Sequence, residues 1–533
     1  MRSHQTALVG VALALSTRFS TNASQIPFHV EEISSWDLSV PPNVNATENL
    51  VFDTVSAFLQ HWPNTRYRNG HNLVPGIVPV GTLLYHGRTN SNLPDTLDWV
   101  ATDPEHSYLF CRRSSEASCW HLTLVVSRPL QILYFDGSSA AKMNDGPMDS
   151  QDIVAWGEVL PDRYFDELQR IRDICDWGRP LGVDGYVRME MDFEIMLCDF
   201  TSGVEVVSMA NLASPEPGSP RTPSPAIFEV VQSGSWHNRY PGDRRIKLDL
   251  TRLVSFYDTV LVPSLIESRF SQERWDHRLL GISADDVTMV MERLREAYAA
   301  PPPKTSDVDW DTLFKVVVDR YGERLEMARY VLNATDADAL AIAKKAVLQF
   351  RIMLTPYIFR TAVPSPDHGK ENAWAAPVFK FCATAHTEYI RRNAELSAKL
   401  TPSEHLLLRA VEETNREICR VVVSMWAEGV IAGLDDALPV HTSGSAAPET
   451  DAAALIRRWT AALGDLMAWL DWSVWVKCRP ECGVDGPHVQ ELCYLPTWPF
   501  RNGPGGGEGR HRPGGGGKGN GEVWPLTWPR SFV

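Results

Sequence analysis

The sequence has no apolar run of the roughly 20 residues that a helix needs to cross a bilayer, so no transmembrane segment is expected. Positive charge is also scarce. Fifty-one Lys and Arg stand against 66 Asp and Glu, a formal net charge of −15. No basic face follows from that balance, and a nucleic-acid partner is not expected. Neither a His-Glu-x-x-His zinc motif nor a Gly-x-Ser-x-Gly elbow occurs. The glycines before Lys518 lack the following Ser or Thr of a phosphate loop and read as low complexity. Cys478, Cys482, His488 and Cys493 are zinc-donor types, but their spacing fits no standard pair of knuckles, so no metal is expected.

What is present is length and enough apolar material for real cores: 533 residues, 44% of them hydrophobic, which implies two or more units. Arg2 and His4 precede an apolar stretch from Ala7 to Leu15, with small residues around Ala23. This is the pattern of a signal peptide over residues 1–25, and it predicts a secreted protein. Asn22-Ala23-Ser24, Asn45-Ala46-Thr47 and Asn333-Ala334-Thr335 are glycosylation triplets, in line with that compartment. Nine cysteines are an odd number, so some should pair and at least one should not. Cys198 and Cys419, in apolar surroundings, are expected as buried thiols.

Along the chain, strand-like runs dominate residues 26–212. They are GTLLYHGR (Gly81–Arg88), the start of TLDWVATDPEHSYLF (Thr96–Phe110), and CWHLTLVVSRPLQILYFDG (Cys119–Gly137), broken at Arg128-Pro129. With interspersed helices these predict an α+β domain. Residues 213–245, with five prolines between Ser214 and Pro225, read as a linker or long loop. Over residues 246–476 the apolar period turns helical. Thr401-Pro402-Ser403-Glu404 is a capping box opening a long helix, with Leu407, Val411, Ile418, Val421 and Met425 on its buried face. An all-α domain is expected there, with Ile246–Phe256 available as a returning strand. A Cys/Trp-rich segment (477–500) and a Gly-rich tail (501–533), expected to be disordered, end the chain.

The stretch with the most chemistry is Gly185–Ser208. An apolar strand, Phe193–Phe200, carries one carboxylate, Glu194, at its entrance, with Glu190 and Asp192 as nearby alternative acids. Earlier in the chain, His86 ends an apolar strand and precedes Gly87, which permits a tight turn or a close approach of backbone to a ligand.

The succession YHGR (Tyr85–Arg88), WVATDPEHSYLF (Trp99–Phe110), paired strands, then EIMLCD (Glu194–Asp199) resembles the ADP-ribosyltransferase fold over residues 77–210. Arg88 stands where that family often has Thr. The resemblance implies a split-sheet domain that takes NAD as substrate. In that reading Glu194 is the catalytic carboxylate, His86 and Gly87 are NAD contacts, and Thr102 and Tyr108 compete for the middle position. A carboxylate beside the ribose would stabilise the oxocarbenium-like state of nicotinamide release. The YHGR, MDFEIMLCDFTSGVE and CYLPTWP segments also resemble a group of uncharacterised secreted fungal proteins. The rival expectation is a non-catalytic secreted protein that binds a protein or cell-wall partner.

Overall fold

The computed structural model describes residues 36–476, apart from 112–118, 191, 213–241, 271, 300–304, 336, 360, 363, 365–371 and 439–450. The signal-peptide, Cys/Trp-rich and Gly-rich expectations, and most of the Pro-rich one, lie outside the described residues.

An N-terminal mixed sheet is followed by a helical region. The strands are β1 (Asn72–Val78), β2 (Leu83–Arg88), β3 (Asp98–Ala101), β4 (Trp120–Val126), β5 (Leu130–Phe135), β6 (Gly185–Met189), β7 (Phe193–Leu197), β8 (Val204–Asn211), β9 (Lys247–Leu248) and β10 (Val254–Ser255). Their order is β10-β1-β5-β6-β7-β3-β2-β4-β8, with β9 also on β1. Among the described residues, only the β5–β6 pair is parallel. The last two strands add residues 247–255 to the sheet, so the first unit resumes beyond the Pro-rich segment.

One long ribbon organises the sheet. Leu73 pairs with Phe135, Val78 with Leu130, Leu83 with Val125 and Arg88 with Trp120, without a slip in register. β1 and β2 are therefore two halves of one strand, and β5 and β4 two halves of its partner. The ribbon bends at residues 79–82 and 127–129, where Pro79 and Pro129 cannot donate to a ladder and Gly81 adopts φ +85°. Past the bend the halves meet different neighbours: β6 joins β5, β3 joins β2, and β7 joins β6 to β3. That path closes the sheet on itself.

Alternation then sorts the side chains. Val74, Val78, Leu84, Val100, Ile132, Val187 and Ile195 point inward into the larger core. Leu73, Leu133, Phe135, Tyr186 and Met196 point outward. There they meet helix α4 (Glu167–Gly178) through Ile171 and Ile174, and helix α5 (Ala284–Ala297) through Val290 and Leu294. Earlier helices include α1 (Glu48–Ser56), α2 (Pro104–Cys111) and α3 (Asp149–Trp156), with a short helical turn at His61–Arg66.

The helical region consists mainly of α6 (Trp310–Leu332), α7 (Ala339–Leu354), α8 (Ala376–Thr384), α9 (Pro402–Ile431) and α10 (Ala452–Leu470). The starts of α5, α6, α7, α9 and α10 are capped by Ser283, Asp309, Asp338, Thr401 and Asp451, and at Thr401 both halves of the expected box form with Glu404. The sheet interior and the helical region share one apolar core. Helix α1, upstream of the sheet, packs with the helical part: Phe52 stacks on Phe314 and Trp472 at 4.9 and 5.7 Å.

One expectation is corrected here. Cys198 is not a free thiol but is bonded to Cys175 of α4, and Cys419 is bonded to Cys382, which ties α9 to α8. Apolar surroundings report burial; the partner comes from a different element that local sequence does not show. No helix among the described residues is long and apolar enough to cross a membrane.

Candidate functional site

In the hairpin β6–β7, Met189 faces Phe193 and Arg188 faces Glu194. Val187 and Ile195 take the inward positions, which leaves Arg188 and Glu194 on the outer face with Tyr186 and Met196. The Arg188 guanidinium donates from Nε to Glu194 Oε1 at 2.5 Å, and its Nη2 bonds Glu167 of α4. His106, on α2, stands 3.4 Å from the other oxygen of Glu194. Lys142 lies 3.7 Å from Glu167.

Burial alone would push the Glu194 carboxyl up. The Arg188 charge and the His106 hydrogen bond overcome it and hold the group down to about 2. Glu194 is thus a buried anion with both oxygens engaged. Glu190, next after β6, goes the other way: burial raises it to about 8, and Glu194 and Glu167 add to the rise against Lys142 and Arg188. Asp192 is occupied by His61, with 2.8 Å between Oδ1 and Nε2.

The titration of Glu190 has a stability consequence. Its folded pKa, about 8, lies above its ordinary 4.5, so the unfolded chain releases this proton first as pH rises. Stability associated with Glu190 is full below about 4.5 and is lost progressively up to about 8. Glu190→Gln should therefore gain on the wild type across that window, by at most about 1.4 kcal/mol per pH unit. Denaturation midpoints compared at pH 5 and pH 8 check this, and an equal gap at both pH values would contradict it.

The expected partnership of Glu194 with His86 does not form. Tyr85 pairs with Ala101 and Ala101 with Glu194, so Tyr85 shares the outer row while His86 takes the inward face beside Leu84. His86 is buried, 3.5 Å from Asp98 and edge-on to Trp99. Burial lowers its pKa, against the pull of Asp98. Gly87 makes no turn: it lies within β2, paired with His121. Tyr108 is carried on α2 and lines neither of the two cavities described below. Thr102 is buried, and its hydroxyl donates to the Phe193 carbonyl at 3.0 Å.

Thr102 does line an open groove of about 530 Å³ at the bend of the ribbon, within the range that small-molecule sites occupy. Thr82, Leu83 and Tyr85 line it together with Arg244, Arg245 and Lys247. Arg245 is a fixed wall: it makes paired bonds of 2.8 and 2.7 Å to Asp103 and further bonds to Asp243. Arg244 and Lys247 are exposed and, among the described residues, have no carboxylate within ion-pair distance. Tyr85 stacks on His121 at 5.8 Å, and burial raises its pKa, so it stays a neutral phenol. Among the described residues, no carboxylate lines the groove. Two exposed cations, a phenol and a threonine hydroxyl around such a volume suit an anionic ligand, although Arg245 is itself neutralised by Asp103 and Asp243. A second cavity, bounded by Asp53, Tyr67, His71, Asp136 and Arg274, has room for about 20 Å³, one water.

Sequence reasoning had marked Thr102 but missed Tyr85, Arg244 and Lys247. The available signal was Arg244-Arg245-Ile246-Lys247, three cations in four residues of an acidic chain. No group of three or more His, Cys, Asp or Glu among the described residues is arranged to hold a metal ion.

Residues 43–121 and 115–218 match the family model of the YPL277C N-terminal domain, a span that contains β1 to β8 but not Arg244 or Lys247. Two proteins of Saccharomyces cerevisiae are similar to the chain. The uncharacterized protein YPL277C is 25% identical over 431 residues, 61% of this chain and 86% of that protein. The uncharacterized protein YOR389W is 23% identical over 548 residues, 84% of this chain and 81% of that protein. No solved structure matches. The chain is thus similar to a family of uncharacterised fungal proteins, and that likeness carries no ADP-ribosyltransferase assignment.

Proposed function

We propose that the protein binds a small phosphate-bearing ligand in the groove at the ribbon bend, and that binding rather than bond cleavage is the role of this site. The observation that carries the reading is the pair of exposed cations, Arg244 and Lys247, that line with Tyr85 a groove of about 530 Å³ with no carboxylate among its described lining residues. Charge-assisted hydrogen bonds from a guanidinium and an ammonium suit a pyrophosphate, and the Tyr85 phenol offers a neutral donor beside them. NAD and ADP-ribose are the first ligands to test, because the YHGR and EIMLCD resemblance implies NAD as a substrate. Cleavage of NAD by Glu194 is not part of the proposal: that carboxylate is engaged by Arg188 and His106 and is not among the residues lining the groove.

Calorimetric titration of the full chain with pyrophosphate, ADP-ribose, NAD and adenosine tests this. The first three should bind, adenosine should not, and affinity should fall as salt rises. Each single reversal, Arg244→Glu or Lys247→Glu, should weaken binding about tenfold. Failure of all three anions to bind, or equal binding of adenosine, would overturn the proposal.

A further inference from the structure

We infer that the chain is N-glycosylated at Asn45 and Asn333. Both triplets, Asn45-Ala46-Thr47 and Asn333-Ala334-Thr335, have alanine at the middle position, where only proline would block recognition. Two independent features of the structure support the assignment.

The first is placement. Asn333 follows the last residue of α6 with φ −92° and ψ 5°, its backbone N–H closing on the Arg329 carbonyl at 3.1 Å. Asn333 and Thr335 are both exposed. Asn45 lies in the turn before α1, where its backbone N–H is held by Asn43 and the adjacent Val44 is 85% exposed. Among the described residues, neither asparagine side chain makes a hydrogen bond, so each amide stands in solvent with a fixed backbone beneath it. A sugar chain on either would displace nothing in the fold.

The second is the history that the cysteines require. Cys382 and Cys419 are bonded to each other while both are 0% exposed. No oxidant reaches sulfurs placed there in the finished fold, so the bond forms while the chain is still folding, in an oxidising compartment. Cys175 and Cys198 form a second bond, at the outer core of the sheet, with Cys175 buried and Cys198 half-buried. A chain that folds in such a compartment passes the transferase that reads these triplets. In the transfer, the asparagine Nδ2 attacks the anomeric carbon of a sugar chain carried on a lipid pyrophosphate. The N–C bond forms, the C–O bond to the pyrophosphate breaks, the lipid pyrophosphate leaves, and the amide gives up one proton to the transferase.

The test is peptide mapping of the full chain made in a eukaryotic secretory host, with glycan removal by an amidase in heavy-oxygen water. Expected are Asn45 and Asn333 both recovered as aspartate carrying heavy oxygen, in protein whose Cys175–Cys198 and Cys382–Cys419 bonds are intact. On a gel, Asn45→Gln and Asn333→Gln should each remove one mobility step, and Thr335→Ala should match Asn333→Gln while leaving the asparagine in place. Unmodified asparagine at both sites, with the disulfides formed or with free thiols, overturns the inference. Modification at one site overturns it for the other.

Discussion

Arg188→Ala should destabilise the protein by about 3–5 kcal/mol, because it leaves the Glu194 carboxylate without its cation in a site from which water is largely excluded, whereas Glu167, partly exposed, keeps Lys142 at 3.7 Å. Arg188 is 1% exposed and Glu194 3% exposed, so solvent replaces little of the lost interaction. The effect is one of uncompensated charge rather than of lost attraction. Removing both members of the pair with apolar residues, as in Arg188→Leu with Glu194→Leu, should therefore cost clearly less than Arg188→Ala alone. Urea denaturation midpoints check both variants. If Arg188→Ala unfolds within about 1 kcal/mol of the wild type, the ion pair is not the structural element described.

Cys382→Ala with Cys419→Ala should lower stability by about 4 kcal/mol, on the chain-entropy scale for a loop of this size. The two residues are 37 apart in sequence, and the bond they form joins α8 to α9 at the centre of the helical core. The Cys175–Cys198 bond closes a shorter loop, 23 residues apart, and its removal should cost about 3 kcal/mol. The order of the two losses, read from thermal or urea unfolding without reductant, is the sharper check, since both numbers share the same scale. Equal stability of the Cys382/Cys419 variant and the wild type would mean that the bond does not constrain the unfolded chain.

Much of the local structure was legible in the sequence. The apolar runs LLYHGR and FEIML marked strands, and the Thr401–Glu404 box marked the start of α9. What local pattern could not supply was register. Whether His86 meets Glu194 depends on Tyr85 pairing with Ala101 and Ala101 with Glu194, three segments far apart in the chain, and a shift by one residue reverses every side chain. The bend at residues 79–82 was hidden for the same reason: that β1 and β2 form one kinked strand shows only in their continuous pairing with β5 and β4. One site feature was within reach. Arg188 and Glu194 are equally spaced about residues 190–192, so a tight hairpin there would have paired them. The groove was less accessible, because its two free cations arrive on β9 and the residues just before it, beyond the Pro-rich segment.

The central claim is that this protein meets its ligand at the groove and not at Glu194. One measurement separates the two: ADP-ribose affinity and nicotinamide release from NAD, in wild type, Arg244→Glu with Lys247→Glu, and Glu194→Gln. The prediction is binding by the wild type and by folded Glu194→Gln, loss of binding in the double reversal, and no nicotinamide release by any of them. Unchanged binding in the double reversal, or release by the wild type that vanishes in Glu194→Gln, would contradict it.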